Sequence, residues 1–175
     1  MRRCSVPAFV IGLVALLAAC APTFNWREQT IGTTALTSIF PCKPETVTRS
    51  VTIAGHDRSM AMRSCDSGGV TFAVAHAGLS DPGQAPMVLA AWRASTLAGL
   101  HANPTAVSTS QAPTGLPALP QLLVLHASGA PPGQKSKLLI GAWFAQGADV
   151  FAAFVMAPVV PAEVAEPYFA GLRLR

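Results

Sequence analysis

The chain predicts an α+β fold: an antiparallel β-sheet of about 6–8 strands built from hairpins, covered by one long and one short helix. Three observations carry this expectation. Apolar and polar residues alternate between Gly- and Asp-rich turns from Leu36 to Ala77, the pattern of successive hairpins. From Ala85 to His101 that period gives way to helix-forming composition. Beyond Leu122 the alternation returns, and Leu138, Ile140, Ala142 and Phe144 interleave with Leu139, Gly141 and Trp143. A strand apolar on both faces belongs at the centre of a sheet, with a layer above and below.

The elements follow in chain order. Residues 1–19 read as a bacterial lipoprotein signal peptide. Arg2 and Arg3 supply the positive start, Val6 to Leu16 the apolar run, and Leu17-Ala18-Ala19-Cys20 has the form of a lipobox. The run is shorter than the roughly 20 apolar residues a spanning helix needs. An ordinary cleaved signal and an uncleaved anchor are the alternatives. The small-residue pair directly before Cys20 favours lipidation, with Cys20 as the acylated mature N-terminus. Ala21 is not the aspartate that retains such lipoproteins at the inner membrane, so a periplasm-facing place on the outer membrane is expected. Residues 20–34 then form the lipidated N-terminus and tether, with Trp26 packing on the body, and residues 35–175 form a single α+β domain.

Leu36 to Phe40 predicts a short strand closed by Pro41, which cannot donate to a ladder. Thr46 to Ile53 alternates Val47, Arg49, Val51 and Ile53 with threonines and a serine. Ala54-Gly55-His56-Asp57 turns the chain into Arg58 to Cys65, with Met60 and Met62 on one face. Asp66-Ser67-Gly68-Gly69 turns it again into Val70 to Ala77. Ser80 or Asp81 caps the following helix, with Pro82 in its first turn. Met87, Ala90, Ala91, Ala94, Leu97 and Ala98 make one Ala-rich face of it, with Leu89, Trp92 and Leu100 nearly opposite. A helix apolar on two sides is well buried or only partly covered.

Asn103-Pro104 stops that helix. Ala106 to Gln111 is a weak strand, and residues 113–120 are a proline-rich loop. Leu122 to Ser128, Lys137 to Gln146 and Val150 to Ala157 are the strongest strands. Ala162 to Ala170 is the short helix, shortened or bent at Pro167, and Leu172 to Leu174 adds an edge strand.

Composition excludes one large class of partner. Of the chain's 12 basic residues, ten remain once Arg2 and Arg3 leave with the signal, against 8 acidic ones. They are scattered with no basic stripe, so no nucleic acid is expected. The 4 cysteines also sort themselves. Cys4 leaves with the signal and Cys20 is acylated, so Cys42 and Cys65 remain as an even pair in an oxidising compartment, where a disulfide is expected. A metal site would need two further ligands, and His56 is the only histidine between them. A redox pair would need Cys-X-X-Cys spacing.

No catalytic motif stands in the sequence: no Gly-X-Ser-X-Gly elbow, no His-Glu-X-X-His helix, no dinucleotide-binding glycine fingerprint. Gly133-Gln134-Lys135-Ser136 lacks the Gly-Lys pair of a phosphate loop and sits in a hairpin connection. His76 ends one strand and His126 lies within another. If those strands were neighbours, the two rings would converge on a metal or a substrate. A metal needs three or four ligands and no third is evident, so each reads first as a hydrogen-bonded sheet residue or a surface residue. His56 belongs to a turn, and His101 to a helix C-terminus, whose dipole suits a positive charge. Asp57, Asp66, Asp81 and Asp149 fall at turns or helix starts, where aspartate has a structural role. Glu163 and Glu166 fall on the solvent side of the last helix. No catalytic residue, metal ligand or cofactor is assigned. Met60, Met62 and Met87 are candidates to line an adaptable apolar pocket, against the plainer reading of core packing.

Phe40-Pro41-Cys42-Lys43-Pro44 and Tyr168-Phe169-Ala170-Gly171-Leu172-Arg173-Leu174 resemble landmarks of small extracytoplasmic domains of the PsbP-like type. Trp26-Arg27-Glu28, Cys65 and Gly68-Gly69 resemble a group of uncharacterised bacterial lipoproteins. The resemblance runs from about Trp26 to Leu174. It implies an antiparallel sheet flanked by helices and an accessory or assembly role, and it brings no catalytic residues. The expected function is a non-enzymatic accessory or protein-interaction module, held by membrane lipid through Cys20 and meeting an envelope protein partner. The alternative is a carrier or sensor of a small apolar ligand, motivated by the two-sided apolar strands and the methionines. A metal-dependent or hydrolytic enzyme using His76 and His126 ranks last.

Overall fold

The computed structural model describes residues 23–175. The expected signal peptide and Cys20 lie outside them. Within the described residues the fold is α+β, with two antiparallel sheets, one long helix and one short helix. A small sheet is formed by β1 (Arg27–Thr30), β2 (Leu36–Phe40) and β10 (Arg173–Leu174), with β2 in the middle. The large sheet uses β3 (Glu45–Ile53), β4 (His56–Ser67), β5 (Val70–Gly78), β6 (Ser108–Ser110), β7 (Leu123–Gly129), β8 (Lys137–Gln146) and β9 (Asp149–Ala157). Its order is β3-β4-β5-β9-β8-β7-β6. Helix α1 (Ala85–Gly99) covers one face, and α2 (Ala162–Ala170) with the small sheet covers the other.

Local chemistry explains the hairpins. Gly68 and Gly69 take φ of 59° and 77°, the left-handed pair that a two-residue turn needs to match the twist of its strands. β4 and β5 then run in register from Ser67 opposite Val70 to Met60 opposite Ala77. Asp81 accepts from the Gly83 N–H at 2.8 Å and starts the turn that feeds α1.

Alternation along the strands sends side chains to two cores. On one side Phe72, Val74, Phe144, Phe151 and Val155 meet Leu36, Phe40, Tyr168 and Phe169. On the other side Ala75, Trp143, Ala145 and Ala152 lie under Val88, Leu89 and Trp92 of α1. Each fully buried Val, Leu or Phe stabilises the fold by about 1.5–3 kcal/mol. The disulfide joins Cys42, just past β2, to Cys65 on β4, with Cα atoms 6.0 Å apart. It ties the small sheet to the large one.

Three sequence expectations change in detail. The tether expected over residues 20–34 is ordered domain from Arg27 onward, because Arg27–Thr30 pair with Thr37–Phe40 as β1. Just ahead of it Phe24 and Trp26 pack edge-on against Phe72, with ring centroids 6.3 and 5.9 Å away. The strands divide between a large and a small sheet, since β2 leaves the main ladder to fold back with β1 and β10. Helix α1 turns its Val88, Leu89 and Trp92 side inward, and Met87, Ala90, Ala94 and Ala98 face solvent. The larger side chains remove more apolar area from water than the alanine methyls, which decides the face.

Candidate functional site

On the α1 side of the large sheet a groove of about 360 Å³ opens beside the C-terminal end of the helix. Its floor follows the pleat of four interior strands. Ser64, Ala73, Phe154 and Gly141 stand in one row across β4, β5, β9 and β8, and Thr71, Met156 and Leu139 in the next. Small side chains at Ser64 and Ala73 sit between the larger Met62, Phe154 and Met156, and this contrast in size makes the depression. Gly99 and Leu100 at the end of α1 form one wall, and Pro131 and Gln134 of the β7–β8 loop form another. Lys137 is the one cation among the lining residues.

Gly141 shapes the floor indirectly. A Cβ there would lie 2.5 Å from the Trp143 ring, so glycine lets that indole lie back along β8 beneath α1. Trp143 in turn meets Phe154 edge-on, with centroids 5.3 Å apart. Of the methionines expected to line a pocket, Met62 does so and is 37% exposed. Met60 packs into the core beneath α1. Met87 stands on the solvent face of the helix, 51% exposed. Met156 completes the lining, and no local pattern in the sequence marks it.

A second cleft, of about 770 Å³, lies on the opposite face between the β6–β7 edge and α2. Ser110, His126, Glu163 and Glu166 are among its lining residues. His126 Nε2 and Ser110 Oγ are 3.2 Å apart across the two strands. Among the described residues no carboxylate hydrogen-bonds the His126 ring, so the pair lacks the orienting group that activates a serine.

His76 and His126 point to the same side of the sheet but do not converge. β9 and β8 lie between their strands, a lateral separation of roughly 14 Å at the usual strand spacing. His76 instead bonds Asp149, Nε2 to Oδ1 at 2.6 Å, with its ring against Phe151 at 5.2 Å. Asp149, read from the sequence as a turn residue, is the partner that reading missed. It reaches His76 because β9 pairs with β5 and sets Asp149 opposite Gly78. An imidazole oriented by a carboxylate is half of an acid–base device, yet this pair lines neither cleft. No cluster of three or more His, Cys, Asp or Glu side chains that could hold a metal occurs among the described residues.

No family model matches the chain, and no curated protein matches it. A crystal structure from Bacteroides thetaiotaomicron VPI-5482 is similar over 82% of this chain at 10% identity, with a TM-score of 0.41. The chain spans 47% of that protein's length. No helix among the described residues is long and apolar enough to cross a membrane.

Proposed function

We propose that this chain is a lipid-anchored, periplasm-facing binding module without catalytic chemistry, and that its working surface is the groove beside the end of α1. Residues 1–20 support the anchor: a basic start, a short apolar run and a lipobox ending at Cys20. Of the two non-enzymatic roles, interaction module and carrier of an apolar ligand, the groove favours the second. The observation that carries this is the concave apolar floor of Met62, Ala73, Leu139, Phe154 and Met156 on interior strands of the large sheet. Preformed, mostly apolar concavities with a few polar groups at the rim are the usual form of small-ligand sites, and methionine adapts its shape to irregular apolar guests.

The test is titration of the full chain carrying Cys20→Ala with the apolar reporter dye N-phenyl-1-naphthylamine. Saturable enhancement of its fluorescence that Ser64→Trp abolishes is expected, because an indole at position 64 fills the floor. Absence of saturation, or binding indifferent to Ser64→Trp, would overturn the reading. Replacing Cys20 by Ala is also expected to move the protein from the membrane to the soluble periplasmic fraction.

A further inference from the structure

We infer that the groove takes one acyl chain of an anionic bilayer lipid, drawn from the membrane to which Cys20 would fasten the domain; this rests on the binding reading above. Ser67 Oγ donates to the Thr23 carbonyl at 2.5 Å, and Phe24 rests against Gly68, where an added Cβ would lie 2.8 Å from its ring. Residue 23 therefore leaves the body at the β4–β5 turn. That turn lies at the same end of the sheet as the groove, with Phe24 on the face away from α1 and the groove on the α1 face. Thr71 lies opposite Asp66, two residues from Gly69, and the end of α1 and the β7–β8 loop close the same end of the sheet. Three residues from Thr23 back to Cys20 reach roughly 10 Å when extended. An acylated Cys20 would hold this end of the domain, and the groove with it, against the bilayer surface. Val159, 75% exposed, stands just past β9 at that same end.

The groove's construction selects the class of guest. β4, β5, β9 and β8 are all interior strands with both neighbours paired, so the floor offers no free edge to the backbone of an extended peptide. A helix about 10 Å across does not enter a depression of this volume, whereas a single hydrocarbon chain has no backbone polar groups to satisfy. Charge then orients the guest. Lys137 lines the groove on β8 and makes no ion pair among the described residues. Asp66, on β4 opposite the lining residue Thr71, is engaged by Thr71 Oγ1 at 2.5 Å. It lies three strands from Lys137, a lateral separation of roughly 14 Å at the usual strand spacing. A phosphate at Lys137 and Gln134 with its acyl chain over Phe154 and Met156 satisfies both parts.

The experiment incubates the full chain carrying Cys20→Ala with vesicles of phosphatidylglycerol or of phosphatidylcholine. The protein is then separated from the vesicles and weighed by native mass spectrometry. One phosphatidylglycerol per chain is expected, lost with Ser64→Trp and reduced about tenfold by Lys137→Glu, which removes a charge-assisted contact. Equal uptake of both lipids would overturn the assignment of Lys137 as the headgroup site. No lipid uptake by a chain that still binds the reporter dye in a Ser64→Trp-sensitive way would overturn the lipid and leave the groove as a site for another apolar guest. Failure of dye and lipid alike would overturn both readings.

Discussion

The hydroxyl of Tyr168 donates to the main-chain carbonyl of Ala73 across 2.7 Å of fully buried interior. This bond fastens α2 to the strand whose opposite face floors the groove, so the two layers are coupled through one residue of β5. Phe40, Phe72 and Phe169 pack edge-on around the same ring at 5.2–6.1 Å. Tyr168→Phe keeps that packing and orphans the hydrogen bond. It is expected to lower stability by about 1–2 kcal/mol, read from the urea midpoint.

Burial pushes the ionisation of the same hydroxyl far above the ordinary tyrosine range. The sign follows directly. Below the unfolded tyrosine's value both states hold the proton and the bond contributes fully. Above it only the unfolded chain releases the proton, so stability falls as pH rises past roughly 10, by up to about 1.4 kcal/mol per pH unit. Tyr168 is the chain's 1 tyrosine, so tyrosinate absorbance reports it alone and should appear only with unfolding. Tyr168→Phe is expected to flatten the alkaline slope; an unchanged slope would assign it to other groups.

Reduction of the Cys42–Cys65 bond, whose ends are 23 residues apart, is expected to cost about 3 kcal/mol in the chain-entropy account. Intact mass should rise by two hydrogens on reduction, and thiol alkylation before reduction should leave both positions unmodified.

Gly141→Ala places a methyl 2.5 Å from Trp143 and 3.1 Å from Phe154. Both rings are held by packing, so the change is expected to cost about 1–3 kcal/mol. It should also weaken dye binding, because Phe154 lines the groove. A shift in tryptophan emission together with the binding loss would show the coupling.

Asp149→Ala removes the partner of His76 at 2.6 Å. The Asp149 side chain is 41% exposed, so the expected loss is small, about 0.5–1 kcal/mol. Dye binding should not change, since the pair sits beside the β8–β9 turn at the far end of the sheet. A loss of binding in this variant would contradict the placement of the site.

Most of the hairpin architecture was legible because it is local. The turn at Gly68–Gly69 and the alternation through Val47, Met60, Met62 and Phe72 are written in adjacent residues. The groove was legible only in part. Met62 was visible as a candidate, but Met156 and Phe154 join it through the pairing of β5 with β9, which skips α1 and three strands. No periodicity announces a pairing at that distance along the chain. The same pairing hid Asp149 as the partner of His76 and parted His76 from His126. Met87 departs from the expected pocket lining for another reason. Helix α1 is apolar on two sides, and only the bulk of Leu89 and Trp92 tells which side the sheet takes.

The methionine methyls give the most direct test of where the guest binds. The described residues hold Met60, Met62, Met87 and Met156, and ¹³C-methyl labelling of the full chain carrying Cys20→Ala gives each its own NMR signal. On titration with phosphatidylglycerol, the signals of Met62 and Met156 are expected to shift and saturate together, while Met87, on the outer face of α1, stays in place. Saturable uptake with Met62 and Met156 unmoved, or with Met87 shifting alongside them, would contradict the groove as the site.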